Sequence, residues 1–279
     1  SKEVATTLGG RFFIYDAYPY SFKEYLAAQQ VELKEHWEYD TIQRSEVKRH
    51  LNEYFYYGGL PEILSFKNKR AMLSSLYQKI YLGDICARNN IKNDRVLNIL
   101  IKKMAESVKQ PLSYNRLKNV IVATGSPISV PTTIDYVDYT SDSWLILPME
   151  NEVGKLTEKE MQKKYYFVDN GLLNLFLMNS ETSLLENMVA VELCRRFGKK
   201  NVFFLNSEKE IDFIVPDEKL AFQVSYSIKE ESTYNREVPP LTKYAKAHED
   251  WKCLLITYDE EGTEEGIPVV PVWKWLMEV

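Results

Sequence analysis

Histidine and cysteine are scarce in this chain, three of each among 279 residues. Cys86, Cys194 and Cys253 lie far apart, are odd in number and share no metal-ligand spacing, which argues against a disulfide framework and against structural zinc. Each is expected to be a small buried apolar residue in a reducing compartment. His36, His50 and His248 stand in charged surroundings with no nucleophile elbow nearby, so solvated surface positions are expected for all three. No run has the apolar length of a membrane span, and no basic-then-apolar leader opens the sequence. A cytoplasmic chain with no membrane partner is therefore expected. A Walker loop is also lacking. Thr7-Leu8-Gly9-Gly10-Arg11 and Tyr57-Gly58-Gly59-Leu60 carry paired glycines without the lysine that a phosphate cradle needs, so the chain alone is not expected to hydrolyse ATP.

What is present is ordinary for a globular protein: 45% hydrophobic and 27% charged residues, in a length that suggests two compact units. The net charge of −5 argues against coating nucleic acid through an overall field, but leaves room for a local basic patch. The opening residues, 2–8, read as the middle of a helix with no initiator methionine, so the sequence reads as a fragment of something longer. Gly9-Gly10 is expected to stop that helix, and residues 11–15 to form a strand.

Further elements follow from capping residues and periodicity. Ser21 is placed to cap a helix from Phe22, and a charged helix spans about 45–55. Gly58-Gly59-Leu60-Pro61-Glu62 forces a tight turn before a new helix, and residues 70–88 carry apolar positions at helical spacing. Three helices are then expected, from Asp94 to Val108, Tyr114 to Ala123 and Ser129 to Ser143. Strands at 144–148 and 164–168 complete the pattern of a winged helix over about 94–170. After a polar stretch at 179–183, a helix, three strands, a helix and further strands read as an α/β unit with a mixed sheet. The fold class is thus α/β of the α+β kind, with a helical N-terminal part and a C-terminal mixed sheet flanked by helices. The boundaries are about 1–26, 27–180 and 181–279.

Two stretches could carry function. Between Tyr81 and Val120 eight basic residues face three acidic ones, and Arg95, Lys102, Lys103, Lys109, Arg116 and Lys118 are candidate phosphate contacts. The third helix of that stretch has no Arg or Lys to read bases, and Asp135 and Asp138 would repel phosphates, so a protein-docking scaffold is an equal reading. The second stretch lies near the C-terminus. Period-two alternation places Glu210 and Asp212 on one face of a strand, and Gln223 and Ser225 on one face of the next. With Glu186 on the preceding helix, three acids around one point would suit Mg²⁺, Glu186 and Asp212 foremost.

This last arrangement resembles the PD-(D/E)xK nuclease superfamily, in which the first strand carries the Asp and the second an acid, one residue and a Lys. The chain keeps Glu186 and Asp212 but has Gln223 in place of the acid and Ser225 in place of the lysine. The resemblance implies a restriction-endonuclease-like fold with a degenerate site, in which Lys229 or Lys243 are the candidates to replace the missing lysine. The whole chain is similar to the C-terminal portion of prokaryotic AAA-type ATPases followed by a domain of unknown function with a nuclease-like end. Gly10-Arg11, Pro19-Tyr20-Ser21-Phe22-Lys23-Glu24-Tyr25-Leu26, the Gly58-Gly59-Leu60-Pro61-Glu62 turn, Tyr166-Phe167-Val168-Asp169-Asn170-Gly171-Leu172, Glu186-Asn187 and Glu210-Ile211-Asp212-Phe213 carry that likeness. It implies an upstream ATPase half that would bring ATP and Mg²⁺, and makes Arg11 a candidate nucleotide contact.

Three readings follow. The first is a non-catalytic region of such an ATPase that binds DNA or a protein partner, self-association included, with no cofactor of its own. The second is a Mg²⁺-dependent DNA nuclease with a relocated lysine. The third is a regulatory lid on the ATPase half.

Overall fold

The computed structural model describes residues 15–206 and 210–278. Arg11, the expected helix at 2–8 and the glycine stop at 9–10 lie outside the described residues, as does nearly all of the expected strand at 11–15. Among the described residues the chain is a mixed α+β structure with two sheets and flanking helices.

Capping fixes several of the helix starts. Helix α1 (Phe22–Ala28) begins with a capping box: the Ser21 hydroxyl accepts from the Glu24 N–H, and the Glu24 carboxylate accepts from the Ser21 N–H. The charged helix, α2 (Thr41–Tyr57), starts earlier than its periodicity suggests, because the Asp40 carboxylate accepts from the N–H groups of Ile42 and Gln43. It ends at Gly58, whose φ of 77° few other residues adopt. Helix α3 (Lys69–Lys79) widens into a π-helix over Ile80–Ala87. Then come α4 (Asp94–Glu106), the short strand β1 (Leu112–Ser113), α5 (Tyr114–Ala123), α6 (Val130–Asp142), β2 (Ile146–Met149), α7 (Leu156–Met161) and β3 (Gln162–Phe167). Ser113 caps α5, and Ser129, expected as the first residue of the third helix, is instead the cap of α6. Strand β3 lies between β1 and β2 and is antiparallel to both. The short helix α7 was not legible in the sequence.

Helix α8 (Asn170–Asn174) leads into α9 (Glu181–Phe197), and then to the larger sheet. Its strands are β4 (Phe203–Asn206), β5 (Glu210–Val215), β6 (Leu220–Ser225), β7 (Lys252–Thr257), β8 (Gly262–Glu264) and β9 (Ile267–Pro271), in the spatial order β4-β5-β6-β7-β9-β8. β6, β7 and β9 are parallel neighbours, while β4, β5 and β8 run antiparallel to theirs, so the sheet is mixed as expected. Helix α10 (Glu231–Ala247) connects β6 to β7, and α11 (Val272–Trp275) follows β9.

One large core runs from Phe22 to Leu276 and includes Leu100, Tyr166, Leu185, Phe213, Phe222 and Ile256, so it continues without a break across the polar stretch at 179–183. A second, smaller core lies between the other face of the large sheet and α10, with Ile211, Ile214, Ala221, Val238, Leu241 and Leu255. All three cysteines are free and buried, as expected. The histidine expectation fails at His50, which is buried edge-on to Tyr25 with Nε2 2.8 Å from the Arg49 guanidinium. His248 is half-buried and stacks on Tyr244. Flanking charges did not reveal either site, because burial depends on distant rings.

Candidate functional site

Glu186, Glu210 and Asp212 come together around one ammonium, that of a residue which the sequence reading placed on a strand but not in the site. Lys164, on β3, is fully buried. Its Nζ lies 3.0 Å from Glu210 Oε1, 3.3 Å from Glu186 Oε1 and 3.6 Å from Asp212 Oδ1. The Phe204 ring covers the ammonium at 5.5 Å. The lysine comes from the small sheet, Glu186 from α9, and Glu210 and Asp212 from β5, so the cluster spans both parts of the chain.

Several contacts hold the acids in place. The Tyr166 hydroxyl, two residues along β3 from Lys164, donates to Glu186 Oε1 at 2.8 Å. The Val224 N–H donates to Asp212 Oδ2 at 2.9 Å. Burial drives the Asp212 carboxyl well above its ordinary pKa, and Glu186 and Glu237 add to that; the Lys164 ammonium and the Val224 N–H oppose it. Burial pushes the Lys164 pKa down, but the carboxylates of Glu186, Asp212 and Glu210 outweigh that effect, so the net shift is upward and the ammonium stays charged.

The second strand is organised differently from expectation. Gln223 accepts from the Asp212 N–H at 3.3 Å, and its Nε2 donates to Glu237 Oε2 on α10 at 2.6 Å. Gln223 is therefore held by Glu237, itself buried and bonded to the Arg236 guanidinium. The Ser225 hydroxyl donates to the Ser227 carbonyl and touches none of the acids. The lysines expected to replace Ser225 do not reach the cluster: Lys229 is exposed beside Glu260, and Lys243 is exposed on α10. Both lie beyond the end of β6, whereas Lys164 is carried in by β3.

A cleft of about 530 Å³ opens over Glu186, Glu210, Asp212, Gln223 and Ser225, with Lys109 and Arg236 on its lining. Lys109 donates to the Thr182 hydroxyl at 3.0 Å, so it belongs with this cleft. Of the other basic candidates, Arg95, Lys102 and Arg116 are exposed, Lys118 is half-exposed, and Lys103 is paired with Glu106. Asp135 and Asp138 on α6 are exposed. The donor set of Glu186 and Asp212 is oxygen-only and suits a hard cation, but the ammonium stands among those oxygens. Among the described residues no three His, Cys, Asp or Glu side chains are arranged to hold a metal ion. Nor is any helix among them long and apolar enough to cross a membrane.

A second buried polar node joins motifs far apart in sequence. The Asp169 carboxylate accepts from the N–H groups of Gly59, Gly171 and Leu172. The Asn187 side chain bonds both backbone groups of Phe167 and the Asn170 amide, and Asn170 reaches the carbonyls of Phe55 and Leu184. The glycine turn, the Tyr166–Leu172 stretch and Asn187 therefore form one structural joint.

Residues 48–183 match the model of a domain of unknown function, DUF8612; Lys164 falls inside that span, and Glu186, Glu210 and Asp212 outside it. An uncharacterized protein of Methanocaldococcus jannaschii is 31% identical over 297 residues, covering 99% of this chain and 66% of the relative. An uncharacterized protein of Haemophilus influenzae is 31% identical over 288 residues, covering 100% of this chain and 68% of the relative. The chain thus spans about two thirds of the length of these curated relatives. No solved structure matches it significantly. The chain belongs to the family represented by these two archaeal and bacterial proteins, and carries the DUF8612 domain over residues 48–183.

Proposed function

We propose that this chain is the C-terminal region of a cytoplasmic AAA-type ATPase, and that it binds DNA or a protein partner through a winged helix and a PD-(D/E)xK-like sheet unit that no longer cuts. The observation that carries the reading is the position of Lys164. Its ammonium stands among Glu186, Glu210 and Asp212, where a catalytic Mg²⁺ would need those oxygens. The second strand supplies neither an acid nor a lysine, only Gln223 tied to Glu237 and Ser225 tied to Ser227. The order helix, short strand, two helices, strand, short helix, strand over residues 94–167 supports the winged helix, and exposed Arg95, Lys102 and Arg116 supply its phosphate contacts. The test is duplex and single-stranded DNA binding across a salt series. Binding that weakens with salt, and loses about one unit of salt slope for each of Lys102→Ala and Arg116→Ala, supports the DNA version. No binding at low salt leaves the protein-partner version.

One observation favours a second reading, a Mg²⁺-dependent nuclease. Lys164 restores an ammonium to the site, and Glu237 restores an acid beside Gln223. DNA cleavage with Mg²⁺ or Mn²⁺ that disappears in Asp212→Ala would establish this reading and end the first.

A further inference from the structure

We propose that the groove between the free edge of β2 and the start of β4 binds an extended, acidic segment of a partner protein, which adds to β2 as a further strand. This goes beyond the function proposed above, because it requires neither DNA binding nor any chemistry at the Lys164 cluster.

β2 is an outer strand of the small sheet, and among the described residues no strand covers its far side. The direction of its backbone groups follows from the bonds around it. The Val168 N–H donates to the Leu145 carbonyl. Phe167, which faces Ile146 across the pair, bonds the Asn187 side chain through both of its backbone groups. Alternation along an antiparallel pair therefore turns the N–H and C=O of Ile146, and the C=O of Pro148, away from β3. Pro148, which has no N–H to donate, suits an edge strand. The same alternation continues past β2: the Glu150 carbonyl accepts from the Phe204 N–H at 3.1 Å, and the Glu152 N–H donates to the Phe204 carbonyl at 2.9 Å. On the Ile146 side of this bridge a groove of about 470 Å³ lies between the two strands. An open edge of this kind is a template for an added strand, whose main-chain bonds give affinity and whose side chains give specificity.

The lining sets what that segment carries. Ile146, Pro148 and Phe203 give apolar surface, and Trp144 adds an indole. Trp144 follows α6 with a left-handed φ of 59°, at a position where glycine is the usual residue, so the chain accepts strain to keep an indole there. Lys199 and Lys200, on the turn between α9 and β4, supply positive charge. The Lys199 ammonium lies 4.2 Å from the centre of the Trp144 ring and already pairs with a carboxylate, that of Asp16, at 3.2 Å. Lys200 is exposed and has no ion pair among the described residues. Glu150, also on the lining, is offset by Lys163 at 3.0 Å. The charge left over is positive, which favours carboxylates on the incoming strand.

The probe is the labelled hexapeptide Val-Glu-Val-Glu-Val-Glu, with Val-Lys-Val-Lys-Val-Lys as its control. Each is titrated into the whole chain by fluorescence anisotropy, while hydrogen exchange follows the Ile146 amide. The glutamate peptide should bind about tenfold more tightly than the control and slow exchange at Ile146 about tenfold. Lys200→Glu, at an exposed position, should weaken binding about tenfold without loss of folding. Trp144→Gly should weaken it too, and glycine suits the left-handed φ there. No binding at millimolar peptide overturns the inference. So do equal affinities for the two peptides, indifference to Lys200→Glu, or binding that leaves Ile146 unprotected. Single-stranded DNA that protects Ile146 and displaces the peptide would overturn it in favour of a nucleic-acid groove. DNA binding through Lys102 and Arg116 is read in its own assay and decides only the function proposed above.

Discussion

The backbone N–H of Gly59 donates a 2.8 Å hydrogen bond to the carboxylate of Asp169, 110 residues further along the chain. The same carboxylate accepts from Gly171 and Leu172, and so ties the end of α2 to the start of α8. A Cβ on Gly58 would lie 2.1 Å from Asp169 Oδ1, and one on Gly171 2.2 Å from the Tyr57 carbonyl oxygen. Gly58→Ala should therefore destabilise by about 3 kcal/mol or more, since the clash adds to the strain of a left-handed φ. Gly83→Ala, with nothing within 4 Å of the added methyl, should be neutral or slightly stabilising. Urea unfolding of the two variants checks this, and equal losses would show that close approach does not matter at Gly58.

Asp169 also predicts a pH dependence. Burial raises its pKa from 3.8 to about 6, against the opposing pull of the N–H groups of Gly59, Leu172 and Gly171. Because the folded state holds this proton more tightly than the unfolded state, the group's contribution falls as pH rises from about 4 to about 6, and is constant above that. A shift of two units corresponds to about 3 kcal/mol. Asp169→Asn removes the titration, so its stability should fall less steeply than wild type between pH 4 and 6, although its amide N–H₂ faces backbone donors and lowers stability overall. Parallel pH profiles would refute the assignment.

Much of this was legible in the sequence, for identifiable reasons. Capping residues act within four positions, so Ser21 and Ser113 marked helix starts correctly. Period-two alternation placed the acids on β5, and the order of helices and strands gave the mixed sheet. Lys164 was not legible. Lys163 and Lys164 look alike locally, yet Lys163 pairs with Glu150 and Glu160 near the surface while Lys164 enters the core. The available signal was that Lys164 shares a face with Tyr166, in a strand whose last four residues are all buried. Choosing between the two lysines requires knowing that β3 packs against α9 and β5, and no local pattern carries that. The tie between Gln223 and Glu237 was hidden likewise, because it links β6 to a helix containing Pro239 and Pro240.

Removing the Lys164 charge should be costly in a way that depends on its partners. Lys164→Met leaves Glu186, Glu210 and Asp212 without their counter-cation and should cost about 3–5 kcal/mol. Adding Asp212→Asn removes one of the stranded acids, so the double variant should be more stable than the sum of the single losses implies. Chemical denaturation of the four proteins measures the coupling. Additive losses would show that the ion pair, at 3.6 Å, contributes no interaction energy.

Restoring the missing acid of the second strand should harm the protein rather than repair it. In the native arrangement the Gln223 amide donates to Glu237 Oε2 at 2.6 Å and its oxygen accepts from the Asp212 N–H. In Gln223→Glu a carboxylate oxygen would replace the donor, and two buried acids would face each other at hydrogen-bond distance. Either one takes up a proton or the pair repels, and a loss of about 1–3 kcal/mol at neutral pH is expected. The loss should shrink as pH falls toward 5, because a shared proton re-forms the bond. It should also be relieved at neutral pH by Glu237→Gln in the same chain, which returns a donor to the pair with the polarity reversed. Thermal unfolding of the single and double variants at pH 5 and pH 7.5 distinguishes the outcomes. A Gln223→Glu protein as stable as wild type at pH 7.5 would mean that the strand tolerates an acid beside Glu237, and that the glutamine is not locked in place by that partner.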